Sequence, residues 1–269
     1  MELACRNATE EPSEANLVKL LDLWSAGWKH RGRTRAVGPG AYERYATLGL
    51  FGHGGVVGVS NATGLREACI AVNRFLRTRF PDGTWSSIAV LFNPRMGLHR
   101  DIQNMPGHSN HALALGEYTG GRVWIEDDEG DSPAWLEDKK GGRELRGRWL
   151  DMHDKPVSFD ARRYHKVEPH EGSMWALAAY VPQAYARATE QHRQACRGPH
   201  LYQMARPELA FDPSRRPEFW VKKRSSNHRK AKPLFNQLRL TRDNPGLTIG
   251  PAKARTGCAV CLMLGKLDN

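Results

Sequence analysis

The chain has 269 residues, a formal charge of +11 and 40% hydrophobic residues, with a mean hydropathy of −0.61 and a pI near 9.6. That length suits one domain of about 150–200 residues with extensions. No apolar run approaches a bilayer span, Met1 to Arg6 lack a secretory core, and five scattered cysteines do not suggest a disulfide framework. An intracellular location with no membrane partner is therefore expected.

Residues 1–12 are polar and acidic and read as a frayed start. After Ser13, a plausible N-cap, Leu17, Leu20, Leu21 and Trp24 share one helical face and predict a helix docked on a core. Lys29, Arg31, Arg33 and Arg35 sit among Gly and Pro, the texture of a solvated connection. The glycine-dense stretch 48–59 has no Gly-Lys-Ser/Thr and no correctly spaced G-x-G-x-x-G, so tight turns and close packing explain it better than a phosphate loop. Leu65, Cys69, Val72 and Leu76 predict a second helix over 65–80, with Asn61 or Thr63 as cap and Pro81-Asp82-Gly83 as stop.

From Trp85 to Pro182 short apolar stretches alternate with turn residues. Strands are predicted at 87–93, 99–101, 111–115, 122–126, 149–152, 157–159, 166–168 and 174–181, with a long charged loop over 127–148. About eight short strands without long helices between them point to an antiparallel β-sandwich or jelly roll. Residues 184–197 are helix-compatible. Beyond Gly198 the chain is basic and interrupted by prolines, a weakly structured tail that holds much of the positive charge. Residues 198–255 are a candidate contact for nucleic acid. Cys258 and Cys261 form a single C-x-x-C with no second pair at zinc-site spacing. The division expected is 1–41, an N-terminal helix and loop; 42–197, the β-rich domain with supporting helices; and 198–269, the tail.

Chemistry concentrates in Gly97-Leu98-His99-Arg100-Asp101-Ile102-Gln103-Asn104. Side chains two apart on an extended chain share a face, so His99 and Asp101 reach one point. A second imidazole there would complete the 2-His-1-carboxylate set of non-haem Fe(II) oxygenases. His165 is the candidate, opening a strand-like segment. Between them, Gly120-Gly121 leads into a strand. His108 and His111 read as solvated, Trp124 and Trp175 as core, and Asn104 either orients a ligand or caps a turn.

In this order (His99-Arg100-Asp101, Gly120-Gly121, His165, Pro169, Gly172 and a last strand over 174–181) residues 85–182 resemble the Fe(II)/2-oxoglutarate-dependent dioxygenase superfamily, especially its prolyl-hydroxylase-like branch. The resemblance implies an α+β chain whose mainly β core is a double-stranded β-helix (a jelly roll) with flanking N-terminal helices and a basic C-terminal tail. It implies Fe(II) on His99, Asp101 and His165, with 2-oxoglutarate as cosubstrate and O2 as oxidant. The activity implied is hydroxylase- or demethylase-type oxidation of a substrate (protein, nucleic acid or small molecule). One position departs from the family: Met174 stands where an Arg or Lys usually pairs with the far carboxylate of 2-oxoglutarate. Arg122 is the first substitute, Arg163 and His170 follow, and Tyr118 could add a hydroxyl. The alternatives are a jelly-roll metal- or ligand-binding module without activity, and a nucleic-acid-binding protein acting through its tail.

Overall fold

The helices and strands, in chain order, are α1 (Glu2–Glu10), α2 (Glu14–Ser25), β1 (Arg44–His53), β2 (Val56–Val59), α3 (Arg66–Arg79), β3 (Ser87–Phe92), β4 (Asn110–Leu115), β5 (Tyr118–Gly120), β6 (Val123–Glu126), β7 (Ser132–Asp138), β8 (Gly141–Leu150), β9 (Val157–Phe159), β10 (His165–Val167), β11 (His170–Gly172), β12 (Trp175–Tyr180) and α4 (Glu190–Cys196). They come from a computed structural model that describes residues 1–28, 40–53, 56–138 and 141–196. The chain divides into Met1–Arg215 and Arg216–Asn269. All of the second unit, and with it Cys258, Cys261 and the run 222–232, lies outside the described residues, as do Lys29, Arg31, Arg33 and Arg35. Among the described residues no helix is long and apolar enough to cross a membrane.

The chain is mixed α and β, with antiparallel ladders throughout the named strands. One sheet has the order β2-β1-β3-β12-β4-β9, a second β10-β6-β8-β7, and β5 pairs with β11. Register fixes the two faces of the six-stranded sheet. Ala46 pairs with Val90 and Leu48 with Ile88; Leu177 pairs with Val90, Ala179 with Ile88 and Leu177 with Leu113. Cross-strand partners point to the same side. This large-residue face packs under α1, α2 and α3, with Leu17, Leu20, Leu21, Val72, Phe75 and Leu76 fully buried against it. Each such side chain contributes about 1.5–3 kcal/mol by leaving water. Trp175, 0% exposed, anchors the layer: its indole N–H donates to Asp22 Oδ1 at 3.0 Å.

The opposite face has small residues at its centre, with Tyr45, Leu91 and Tyr180 around them. Ala89 pairs with Thr47, Ala178 with Ala89 and with Ala112, and Ala176 with Ala114. Alternation of bulky and small residues over 112–115 of β4 and 175–178 of β12 thus builds a core on one side and leaves room on the other. Ala112 and Ala114 meet Val123 and Ile125 of the second sheet across a small apolar cluster that includes Met152 and Met174.

Several expectations need correction. The acidic start is helical because Ala4, Cys5 and Ala8 of α1 are buried against α3. The glycine-dense stretch is a strand hairpin, β1 with β2. Close packing does explain Gly52, where a Cβ would meet that of Ala184 at 2.4 Å. The charged loop over 127–148 holds the β7–β8 hairpin, whose buried apolar residues Ala134 and Leu145 cover Trp124. Neither Asn61 nor Thr63 is the α3 cap: they lie in a short 3-10 turn, and Leu65 precedes the helix. The predicted strand at 99–101 reduces to one bridge at His99. The helix expected at 184–197 is a 3-10 turn, Gln183–Arg187, followed by α4.

Candidate metal centre

His165 opens β10, and its side chain direction follows from register. It pairs with Ile125 and Val167 with Val123, residues of the inter-sheet cluster, so His165 points inward. Lys166 points outward, its Nζ 5.3 Å from the Trp149 ring centre. His99 forms a bridge with His165, exchanging backbone hydrogen bonds of 3.0 and 2.9 Å. Arg100 turns away, its guanidinium 4.7 Å from the Tyr164 ring centre, so Asp101 returns to the side of His99. The Asp101 backbone N–H donates to Ala161 O at 2.8 Å.

The three side chains converge. One ligand atom from each of His99, Asp101 and His165 lies within 4.8 Å of the others. Asp101 straddles the pair, Oδ1 3.9 Å from His99 Nε2 and Oδ2 3.9 Å from His165 Nε2. His99 Nδ1 is 2.7 Å from Gly97 O, and His165 Nδ1 is 3.1 Å from Arg163 O. A carbonyl oxygen can only accept, so each Nδ1 carries the proton and each Nε2 offers its lone pair to the carboxylate side. Burial, then the neighbouring His99, hold His165 below the usual imidazole range, which keeps that lone pair free at neutral pH.

This donor set fits a divalent ion. With bonds of roughly 2.1 Å, neighbouring ligand atoms of an octahedral ion stand about 3.0 Å apart, so the carboxylate would close on each imidazole by about 1 Å. Both His side chains are buried, whereas that of Asp101 is 42% exposed, leaving one side of the group open to a cavity.

The segment from Asn93 to Met105 carries no ladder; its backbone bonds run to different elements. Asn93 N–H donates to Met174 O, Arg95 N–H to Ala41 O, Met105 N–H to Val181 O, and Met96 O accepts from Val167 N–H. Arg162 Nη1 donates to Ile102 O at 2.6 Å and to Asn104 O at 2.9 Å. Gln183 Nε2 adds a bond to Ile102 O at 2.7 Å.

The cavity has a volume of about 1420 Å³ and reaches from His99, Asp101 and His165 to the alanine face and to Met174. Its polar wall is neutral. The Tyr45 and Thr47 hydroxyls are 2.6 Å apart, and Tyr180 also engages Thr47. Burial, then Tyr45 and Asp101, push the Tyr180 phenol well above its usual range, so it stays protonated. Asn104 completes the wall; its side chain donates to Asn110 Oδ1 at 2.9 Å, while its backbone N–H closes the turn onto Asp101 O. The side chain therefore lines the cavity, while the turn is closed by backbone alone.

The other predicted contacts lie elsewhere. Arg122 is at the surface, where Nε and Nη2 grip Glu168 at 2.9 and 2.6 Å. Arg163 pairs with Asp128 at 2.5 Å, and only its carbonyl serves the centre. Tyr118 is half-buried, its ring centre 4.9 Å from that of His153. His170 is buried with neither ring nitrogen hydrogen-bonded among the described residues. None of these four lines the cavity. Trp124 and Trp175 are core residues, both 0% exposed. Sequence reasoning missed Tyr45, Thr47, Tyr180 and Arg162; the alternation of Tyr45 and Thr47 was the available signal, obscured by the glycines that follow.

No family model matches the chain, and no curated protein matches it. Among solved structures it is similar to one titled "The structure of OsALKBH1", at 14% identity and a TM-score of 0.37, covering 63% of this chain and 92% of that one. It is also similar to an oxidoreductase of the 2OG-Fe(II) oxygenase family from Burkholderia pseudomallei, at 10% identity and a TM-score of 0.38, covering 62% of this chain and 81% of that one.

Proposed function

We propose that this chain is a non-haem Fe(II) oxygenase that consumes a 2-oxo acid and O2 and oxidises a C–H bond of its substrate, by hydroxylation or demethylation. The observation that carries the reading is the convergence of His99, Asp101 and His165, with both Nε2 lone pairs free, on the wall of a deep cavity. The strand order supports a double-stranded β-helix, and the prolyl-hydroxylase-like branch rests on the sequence pattern of His99-Arg100-Asp101, Gly120-Gly121 and His165 alone. The chain passes between the two main sheets from β3 to the His99 bridge, to β4, to β6 and β8, to β9, to β10 and to β12. Within that reading, 42–197 form the oxygenase domain, 1–41 support it, and 198–269 form the basic tail of an intracellular protein.

Fe(II), when bound, would supply the activation of O2 coupled to oxidation of the 2-oxo acid. The chain's residues prepare that chemistry. Gly97 O and Arg163 O fix the imidazole tautomers. Arg162 and Gln183 brace the turn that carries Asp101. Apolar residues, Ala112, Ala114, Val123 and Met174 among them, flank the group on its inward side. The exposed edge of Asp101 faces the side on which Tyr45, Thr47, Tyr180 and Asn104 present hydrogen-bonding groups to a substrate.

The test is an anaerobic Fe(II) titration followed by a 2-oxo acid, read by the metal-to-ligand charge-transfer band and by release of the shortened carboxylic acid when O2 is admitted. Both signals are expected in the parent and lost in His99→Ala and Asp101→Ala. A parent that binds no Fe(II) overturns the reading.

A further inference from the structure

The residues that fit the ion do not fit 2-oxoglutarate. Inward from His99 and His165 the cavity is bounded by Ala112, Ala114, Val123, Met152, Val167 and Met174, and Met174 itself is 1% exposed within that apolar cluster. No Lys or Arg lines the cavity among the described residues. Arg122 is held by Glu168 and Arg163 by Asp128 on the outside, and Arg162 is turned to backbone carbonyls. The hydroxyls of Tyr45, Thr47 and Tyr180 on the far wall are neutral and supply no cation for another carboxylate. A far carboxylate entering the Met174 cluster would lose its hydration without gaining a cation. An alkyl tail entering the same space gains roughly fourfold in affinity per methylene buried.

We propose that the cosubstrate of this chain is a 2-oxo acid with a neutral apolar tail, which packs against Met174 and the alanine face, rather than 2-oxoglutarate. The proposal rests on the oxygenase reading above. The stoichiometry is that of a 2-oxo-acid oxygenation. The C1–C2 bond of the 2-oxo acid breaks, C1 leaves as CO2, and one atom of O2 enters the carboxylate that remains, one carbon shorter. The other atom enters the substrate C–H bond as a hydroxyl. The 2-oxo acid and the substrate each give two electrons, which together reduce O2 fully.

The test uses the full chain and compares 2-oxoglutarate with 5-methyl-2-oxohexanoate, in which an isopropyl group takes the place of the far carboxylate. Fe(II) binding is first measured alone, by thermal shift and by retention after desalting. Each acid is then titrated anaerobically into the Fe(II) form, following the charge-transfer band. The apolar acid is expected to bind roughly tenfold tighter or better, Met174→Leu to preserve that order, and Met174→Arg to reverse it. The comparison in the parent decides the matter even if Met174→Arg does not fold. Tighter binding of 2-oxoglutarate by the parent overturns the proposal, and loss of that binding in Tyr180→Phe would move the carboxylate to the hydroxyl wall. Fe(II) binding with no band from either acid overturns the proposal alone; no Fe(II) binding overturns the oxygenase reading and the proposal with it.

Discussion

Replacing His165 with Ala removes one of two buried imidazoles and leaves Asp101 and His99 to hold an ion by themselves. At a metal concentration about 100 times the dissociation constant, a ligand that binds only the folded state stabilises it by about 2.7 kcal/mol. For a domain of this size that raises Tm by about 5–10 °C. Losing His165 forfeits one of three ligand atoms now within 4.8 Å of one another, and a 100-fold weaker site at the same metal concentration would retain only about 0.4 kcal/mol, or about 1 °C. Without metal the variant should itself be less stable by about 1–2 kcal/mol, because the ring packs against His99 at 4.2 Å and Phe159 at 5.4 Å. The assay is differential scanning fluorimetry of chelator-stripped protein with and without Mn(II) or anaerobic Fe(II). His153→Ala is the control for surface imidazoles, since His153 is exposed and bonded to Glu14. A His165→Ala protein that keeps the parent's metal-dependent increment would refute the assignment of the centre.

Three further outcomes are expected. Burial, then Arg95, hold His170 below the usual imidazole range; the unfolded chain therefore takes up a proton first, and stability is lost as pH falls from about 6.5 toward the folded value. His170→Leu should flatten that limb in urea melts at pH 5–7, since it removes the buried group that takes up the proton; an unchanged limb would contradict this. Glu168 is held below the usual carboxylate range by Arg122, so the pair stabilises above about pH 4.5 and fades as pH falls through the folded value. Arg122→Gln should lower stability only slightly at pH 7 and not at all near pH 3, because the pair is screened by solvent, and it should leave 2-oxo-acid affinity unchanged; a drop in that affinity would place Arg122 in the pocket. Gly121, at φ +69°, would bring a Cβ within 3.0 Å of Met174 Sδ and the Tyr118 ring; Gly121→Ala should lower stability by about 1–2 kcal/mol in denaturant titrations.

Short apolar stretches between turn residues made 111–115 and 174–181 legible as strands before any coordinates, and the period-two rule put His99 and Asp101 on one side. The rule failed where both faces of a strand are covered. Val123 and Ile125 face the cavity cluster while Trp124 is buried under the β7–β8 hairpin, so the strand reads as uniformly apolar. The parity that sends Arg122 outward to Glu168 was hidden for that reason. The hairpin itself went unseen because its exposed face is charged and only Ala134 and Leu145 are buried hydrophobics. Tyr45 and Thr47 reach Asp101 only through the pairing of β1 with β3, a long-range register that no local pattern encodes. The helix α1 escaped notice because it buries Ala and Cys rather than Leu.

The Asn93–Met105 segment gives the centre a mechanical character. Apart from the Asp101–Asn104 turn, its amides and carbonyls are tied one by one to Met174, Ala41, Val167, His165, Ala161 and Val181, so it takes its position from the elements it spans. His99 follows β10, whereas Asp101 follows the Ala161 turn and the Arg162 brace. An occupant that pushes the sheets apart would move the two ligands by different amounts. Under the oxygenase reading, filling the cavity would then shift the two ligands relative to one another and change how an ion is held.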